Sequence, residues 1–95
     1  MQVKIRLFDR LRDVSGKSAI SENIQEHSTL RELIETIAAE EGLEVRKLLL
    51  DFVTNTLLSN VNILVNGRHN RFTGGLETEL KEGDTIDLLT AMSGG

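Results

Sequence analysis

Ninety-five residues with 39% hydrophobic and 27% charged side chains suffice for one domain with a modest core, and lie in the soluble globular range and outside the disordered one. Eleven Lys and Arg against fifteen Asp and Glu give a net charge of -4, which excludes the basic footprint that nucleic-acid phosphates demand. The absence of cysteine excludes disulfides, thiolate metal sites and a thiol nucleophile, and with no apolar run near ~18 residues and no signal-peptide core the expected compartment is the cytoplasm.

From Gln2 to Phe8 the residues alternate, with Val3, Ile5 and Leu7 on one side and Gln2, Lys4 and Arg6 on the other, the period of a half-buried strand. Arg12-Asp13-Val14-Ser15-Gly16 carries turn chemistry, and a weaker alternation through Ile20 and Ile24 over Ser18 to Ile24 completes an expected hairpin. Thr29 and Glu32 form a capping box. Leu30, Leu33, Ile34, Ile37 and Ala38 then occupy one helical face, with Gly42 as the expected C-cap.

Val45 to Phe52 fits either a second short helix or a buried extended run, because periodicity does not separate the two; Phe52 is expected in the core. Asn60 to Val65 reads as a strand, and Asn66-Gly67 reverses the chain into a further strand over Arg68 to Phe72. Thr73-Gly74-Gly75 is a loop, too short for a phosphate loop and without its Gly-Lys ending. Lys81-Glu82-Gly83-Asp84 is a turn, and Thr85 to Leu89 is the last strand, with Ile86 and Leu88 facing the core.

The order is ββαββ with a late extra strand. First and last strands separated by a helix can lie parallel through a right-handed crossover. The expected fold is therefore α+β, a β-grasp in which a mixed sheet of four to five strands packs on one main helix. Residues 1–89 form the domain and residues 90–95 a flexible tail ending in Gly-Gly.

The pieces VKIRLF, TLRELIETIA, NILVNGR, GLETELKEGDTIDL and the closing Gly94-Gly95 resemble, in that order and spacing, the ubiquitin-like β-grasp proteins, and among them the MoaD/ThiS sulfur carriers and the small archaeal modifier proteins. The resemblance spans nearly the whole chain. At an average glycine usage of about 7%, two glycines at the last two positions arise by chance in roughly 0.5% of chains. Two residues without Cβ also make the narrowest peptide available to thread a channel. One departure concerns the pair of prolines that family members carry just before the Gly-Gly, for which this sequence has Thr90-Ala91-Met92 and no proline at all. Such a tail is more mobile when free and loses more entropy on docking.

The resemblance implies a substrate and carrier rather than an enzyme, with no bound cofactor. The Gly95 carboxylate attacks ATP inside a MoeB/ThiF-like activating enzyme, and Gly94 gives access. From the acyl-adenylate two fates diverge. Capture by a persulfide gives a thiocarboxylate for molybdopterin or tRNA thiolation, in which role the chain could serve as the small subunit beside a MoaE-like synthase partner; capture by a target lysine gives an isopeptide-linked modifier. The longer middle segment and GLETELKEGD resemble the archaeal modifiers more than the bacterial synthase subunit. The free protein is expected to be a monomer, with neither nucleic acid nor membrane as partner. Docking is expected to use outward apolar residues, Phe8, Leu64 and Leu89 with Phe72 and Met92. A non-covalent ubiquitin-like interaction module is the alternative. His27 and His69 lack partners at metal-ligand spacing, and Glu40, Glu41 and Glu44 read as a solvated helix end.

Overall fold

In a computed structural model that describes residues 1–90, the first alternation becomes strand β1, Gln2–Leu7, with Val3, Ile5 and Leu7 buried and the residues between them exposed. The segment expected to turn is instead the second half of a helix, α1, Asp9–Ser15, closed by Gly16 in the left-handed region at φ 74°. Its signal was invisible because the seven residues bury only Leu11, and one buried position carries no period. Strand β2, Ala19–Asn23, does lie antiparallel beside β1, but through this helix rather than a tight hairpin.

Helix α2, Leu30–Glu40, starts at the expected capping box: the Glu32 N–H donates to Thr29 Oγ1 at 3.3 Å, and the Thr29 N–H donates to Glu32 Oε1 at 3.0 Å. Its C-cap is Glu41, not Gly42. Gly42 is the next residue, and its φ of 99°, which side chains with a Cβ rarely adopt, redirects the chain into α3, Leu43–Leu49.

Helix α3 resolves the Val45–Phe52 ambiguity in two parts, since Leu50 is already extended and bridges Leu57. That break removes Phe52 from the helical spacing. It is 52% exposed rather than in the core, and the Arg46 guanidinium stands 5.4 Å from its ring centroid. Helices as short as α1 and α3 are not stable alone and are held by their buried residues, Leu11, Val45 and Leu49.

Strand β3, Val61–Val65, reverses at Asn66-Gly67 into β4, which is only Arg68–His69. The strand expected as far as Phe72 ends there because the His69 ring accepts the Arg71 N–H at 3.2 Å. Asn70–Phe72 closes instead into a 3-10 turn, followed by another at Gly75–Glu77. The last strand, β5, is Thr85–Thr90.

The sheet runs β2-β1-β5-β3-β4, with β1 and β5 parallel in the centre and the other pairs antiparallel. Ile5, Ile63, Ile86 and Leu88 from the three central strands and Leu30 and Ile37 from α2 are fully buried, each contributing about 1.5–3 kcal/mol over an exposed position. This is the expected β-grasp, with three α-helices among the described residues where one main helix was expected.

Candidate functional site

Because the helices cover one face of the sheet, the period of two leaves a second face open. The register assembles that face into rows. Across its middle run Ala19, Arg6, Asp87, Leu64 and His69, one from each strand. The next row toward the end of β5 pairs Leu89 with Asn62, and Phe8 continues the β1 alternation past Arg6 at the same end of the sheet.

Asp87 holds this face together. It is only 5% exposed although it lies on the open side, and both its carboxylate oxygens accept hydrogen bonds from Arg6, from Nε at 2.5 Å and from Nη2 at 2.7 Å. A paired, doubly hydrogen-bonded carboxylate is the form in which a charge is tolerated at such burial. In return, the hydrogen bond and then the charge of Asp87 raise the Arg6 pKa above its already high value. The Arg6 guanidinium also lies 5.8 Å from the Phe8 ring centroid, within reach of a cation–π contact. At the opposite side of the face His69 Nε2 lies 3.2 Å from Asn62 Oδ1.

Of the expected docking residues, Phe8, Leu64 and Leu89 are half-buried and the register places them on this one face. Phe72 is not on a strand. It sits on the 3-10 turn after β4, 63% exposed, with the Arg71 guanidinium 4.9 Å from its ring centroid. Met92, Gly94 and Gly95 lie outside the described residues. Strand β5 ends at Thr90, so the Leu89 end of the open face is also where the chain leads into its last five residues.

The pairing of Arg6 with Asp87 was missed in the sequence. Its signal was present in part, since VKIRLF carries two cations, Lys4 and Arg6, and TIDLL one anion, Asp87, all at outward positions of central strands, but the sequence alone did not say which cation faces the anion. Glu22 and Glu40 were missed as well. A hydrogen bond donated by the protonated Glu22 carboxyl to Glu40 raises the Glu22 pKa from 4.5 to about 7, with partial burial and the charges of Glu40 and Glu41 adding to it and Lys17 opposing. Among the described residues no group of His, Asp or Glu is placed to hold a metal ion. Among the described residues the open face carries apolar side chains around one ion pair, and no nucleophile hydrogen-bonded to a base.

The ThiS family model matches residues 5–95. Small archaeal modifier protein 3 of Haloferax volcanii is 26% identical over 95 residues, covering 100% of both chains. The solution structure of small archaeal modifier protein 1 from Methanosarcina acetivorans superposes with a TM-score of 0.86 at 26% identity, covering 99% of this chain and 96% of that one. CysO, named a sulfur carrier protein in Mycobacterium tuberculosis, is present in the Amycolatopsis orientalis BexX/CysO complex, which matches with a TM-score of 0.70 at 32% identity over 98% of this chain and 99% of that one. The chain belongs to the ThiS family and is a ubiquitin-like protein of the sulfur-carrier and small-modifier class.

Proposed function

We propose that Gly95 is the point at which this protein is activated and loaded. The observation that carries the reading is the family match, which runs through Gly94-Gly95 to the last residue of the chain. An oxygen of the Gly95 carboxylate attacks the α-phosphorus of ATP in a MoeB/ThiF-like enzyme, releasing pyrophosphate and leaving an acyl-adenylate. A carboxylate by itself is a poor electrophile, and AMP supplies the leaving group. A sulfur nucleophile then yields the thiocarboxylate used by a MoaE-like synthase or in tRNA thiolation, or a lysine amine of a target yields an isopeptide bond.

Thr90 is held in β5, and five residues beyond it, if extended at ~3.3–3.6 Å each, reach about 17 Å. That length lets the domain dock through Phe8, Leu64 and Leu89 while the carboxylate enters a buried site. The likeness to the BexX/CysO complex supports recognition by a partner enzyme. The use of ATP makes the cytoplasm its place of work, and no described helix is long and apolar enough to cross a membrane.

Intact-mass analysis of the protein from its native cells tests this. A sulfur carrier shows a fraction heavier by the exchange of one oxygen for sulfur, and a modifier shows larger conjugates whose tryptic digests carry residues 82–95, the segment after Lys81, on a target lysine. Unmodified protein alone, with neither species, assigns the chain to non-covalent binding instead.

A further inference from the structure

Strand β2 is an outer strand of the sheet. The Met1 ammonium and the Ile24 N–H exchange hydrogen bonds with each other's carbonyls at 2.7 Å, and the Leu7 N–H donates to the Ser18 carbonyl at 2.9 Å. Antiparallel alternation then turns the N–H and C=O of Ala19, Ser21 and Asn23 outward, away from β1. All three residues are exposed. Natural edge strands are normally blunted by proline, lysine, a bulge or an inward-pointing charge, and β2, AISEN, has neither proline nor lysine, pairs with β1 in unbroken register, and carries the inward charge Glu22 alone.

Beside this edge lies a groove of about 260 Å³ between β2 and α2, with Ile24 and Leu33 as its apolar part and Glu22, Glu32, Thr36 and Glu40 among its polar lining. Every ionisable residue of the lining is an acid. The one lysine nearby, Lys17, is engaged 3.1 Å from Glu41. We propose that β2 and α2 receive an extended, basic segment of a partner protein, which joins the sheet as a sixth strand against Ala19, Ser21 and Asn23 and sets a lysine or arginine over Glu22 and Glu40.

Charge complementarity selects this occupant. An extended peptide presents alternate side chains to one side, so those turned toward α2 meet the Glu22–Glu40 pair and the Ile24–Leu33 surface, and main-chain hydrogen bonds supply the rest. A second copy of the chain would bring three acids of its own against these three, and a nucleic acid would be repelled. The groove lies along an outer strand, separate from the Phe8, Leu64 and Leu89 face, and the inference stands or falls independently of the chemistry at Gly95.

A hydrogen bond to Glu40 and partial burial raise the Glu22 pKa to about 7, so above that pH Glu22 is ionised and attracts a bound cation, and below it Glu22 is protonated and attracts a cation less. Glu41 and Lys17 also face Glu22, the acid raising its pKa and the lysine opposing. Binding therefore strengthens as pH rises from 6 to 8.

The test is an NMR titration of the isotope-labelled full chain with a blocked heptapeptide of alternating lysine and valine, against a twin with glutamate for each lysine. The lysine peptide is expected to shift amides confined to 19–24 and 32–40, to slow amide exchange at Ala19, Ser21 and Asn23, and to bind about threefold or more tightly at pH 8 than at pH 6. Ser21→Pro removes an outward N–H while sparing the β1–β2 bonds, a substitution outer strands accept, and is expected to weaken binding by about tenfold. Should that variant disturb the fold, Glu22→Gln with Glu40→Gln is expected to abolish the pH dependence. Equal binding of the glutamate twin, shifts centred on Leu64 and Leu89, no shift at millimolar peptide, or peptide-independent self-association through β2 would each overturn the proposal.

Discussion

Arg6 and Asp87 face each other across the parallel β1–β5 pair with two hydrogen bonds, and their exposures are unequal: the Arg6 side chain is 48% exposed and that of Asp87 7%. The arginine therefore acts as a lid over a carboxylate that the sheet has largely desolvated. It also ties the first strand to the last, 81 residues apart. A slip of one residue in this parallel pair would turn Arg6 or Asp87 toward the helices, so the contact reinforces the register that the buried isoleucines already favour.

Replacing Arg6 by Met should leave the Asp87 carboxylate without its donors, at the cost of about 1–3 kcal/mol expected for an unsatisfied buried polar group. Lys4→Met, on the same face and with no such partner among the described residues, should change stability little. The double variant Arg6→Met with Asp87→Leu should recover most of the loss, because breaking a buried pair is more damaging than replacing both members. Urea denaturation of the four proteins checks this; equal effects of Arg6→Met and Lys4→Met would refute the lid.

Docking and folding should separate by face. Phe8→Ala should weaken binding to the activating enzyme by about 1–2 kcal/mol or more, while its effect on stability is limited to a half-exposed ring and its contact with Arg6, under about 1 kcal/mol. Ile5→Ala opens a cavity in the core and should cost about 2–5 kcal/mol of stability with no specific binding defect. Calorimetric binding and thermal melts of both variants decide the matter. Unfolding of the domain by Phe8→Ala would show the assignment of faces to be wrong.

The alternating and helical periods made the sheet and α2 legible, along with the capping box at Thr29 and the turn at Asn66-Gly67, because each is written in local chemistry. What the sequence concealed depends on contacts between distant residues. Helix α1 buries Leu11 alone, β4 stops where the His69 ring captures the Arg71 N–H, and Phe52 leaves the core because the backbone straightens at Leu50. The common face of Phe8, Leu64 and Leu89 was anticipated from alternation. The Arg6–Asp87 pair at its centre needed the parallel register, and the Glu22–Glu40 contact needed the position of α2 over β2.

Stability should carry a signature of that last contact. The Glu22 pKa is raised in the folded protein from 4.5 to about 7, so between those values the native state holds more protons than the unfolded chain. Stability then falls as pH rises through this window and levels off above it. Glu22→Gln should flatten the slope and stabilise the protein at pH 8, by on the order of 1 kcal/mol after allowance for solvent screening, with little change at pH 4. Urea midpoints across pH 4 to 8 measure it, and parallel curves for the two proteins would contradict the raised Glu22 pKa.

If the activating enzyme adenylates the Gly95 carboxylate, as proposed, ATP–pyrophosphate exchange depends on the last two residues. The measurement compares the full chain with a variant lacking Gly94-Gly95 in the presence of that enzyme. Residues beyond the last strand are ordinarily dispensable for folding, so the truncated domain should melt within a few degrees of the full chain, and exchange should fall to the level of the enzyme alone. Exchange undiminished by the truncation would contradict the account.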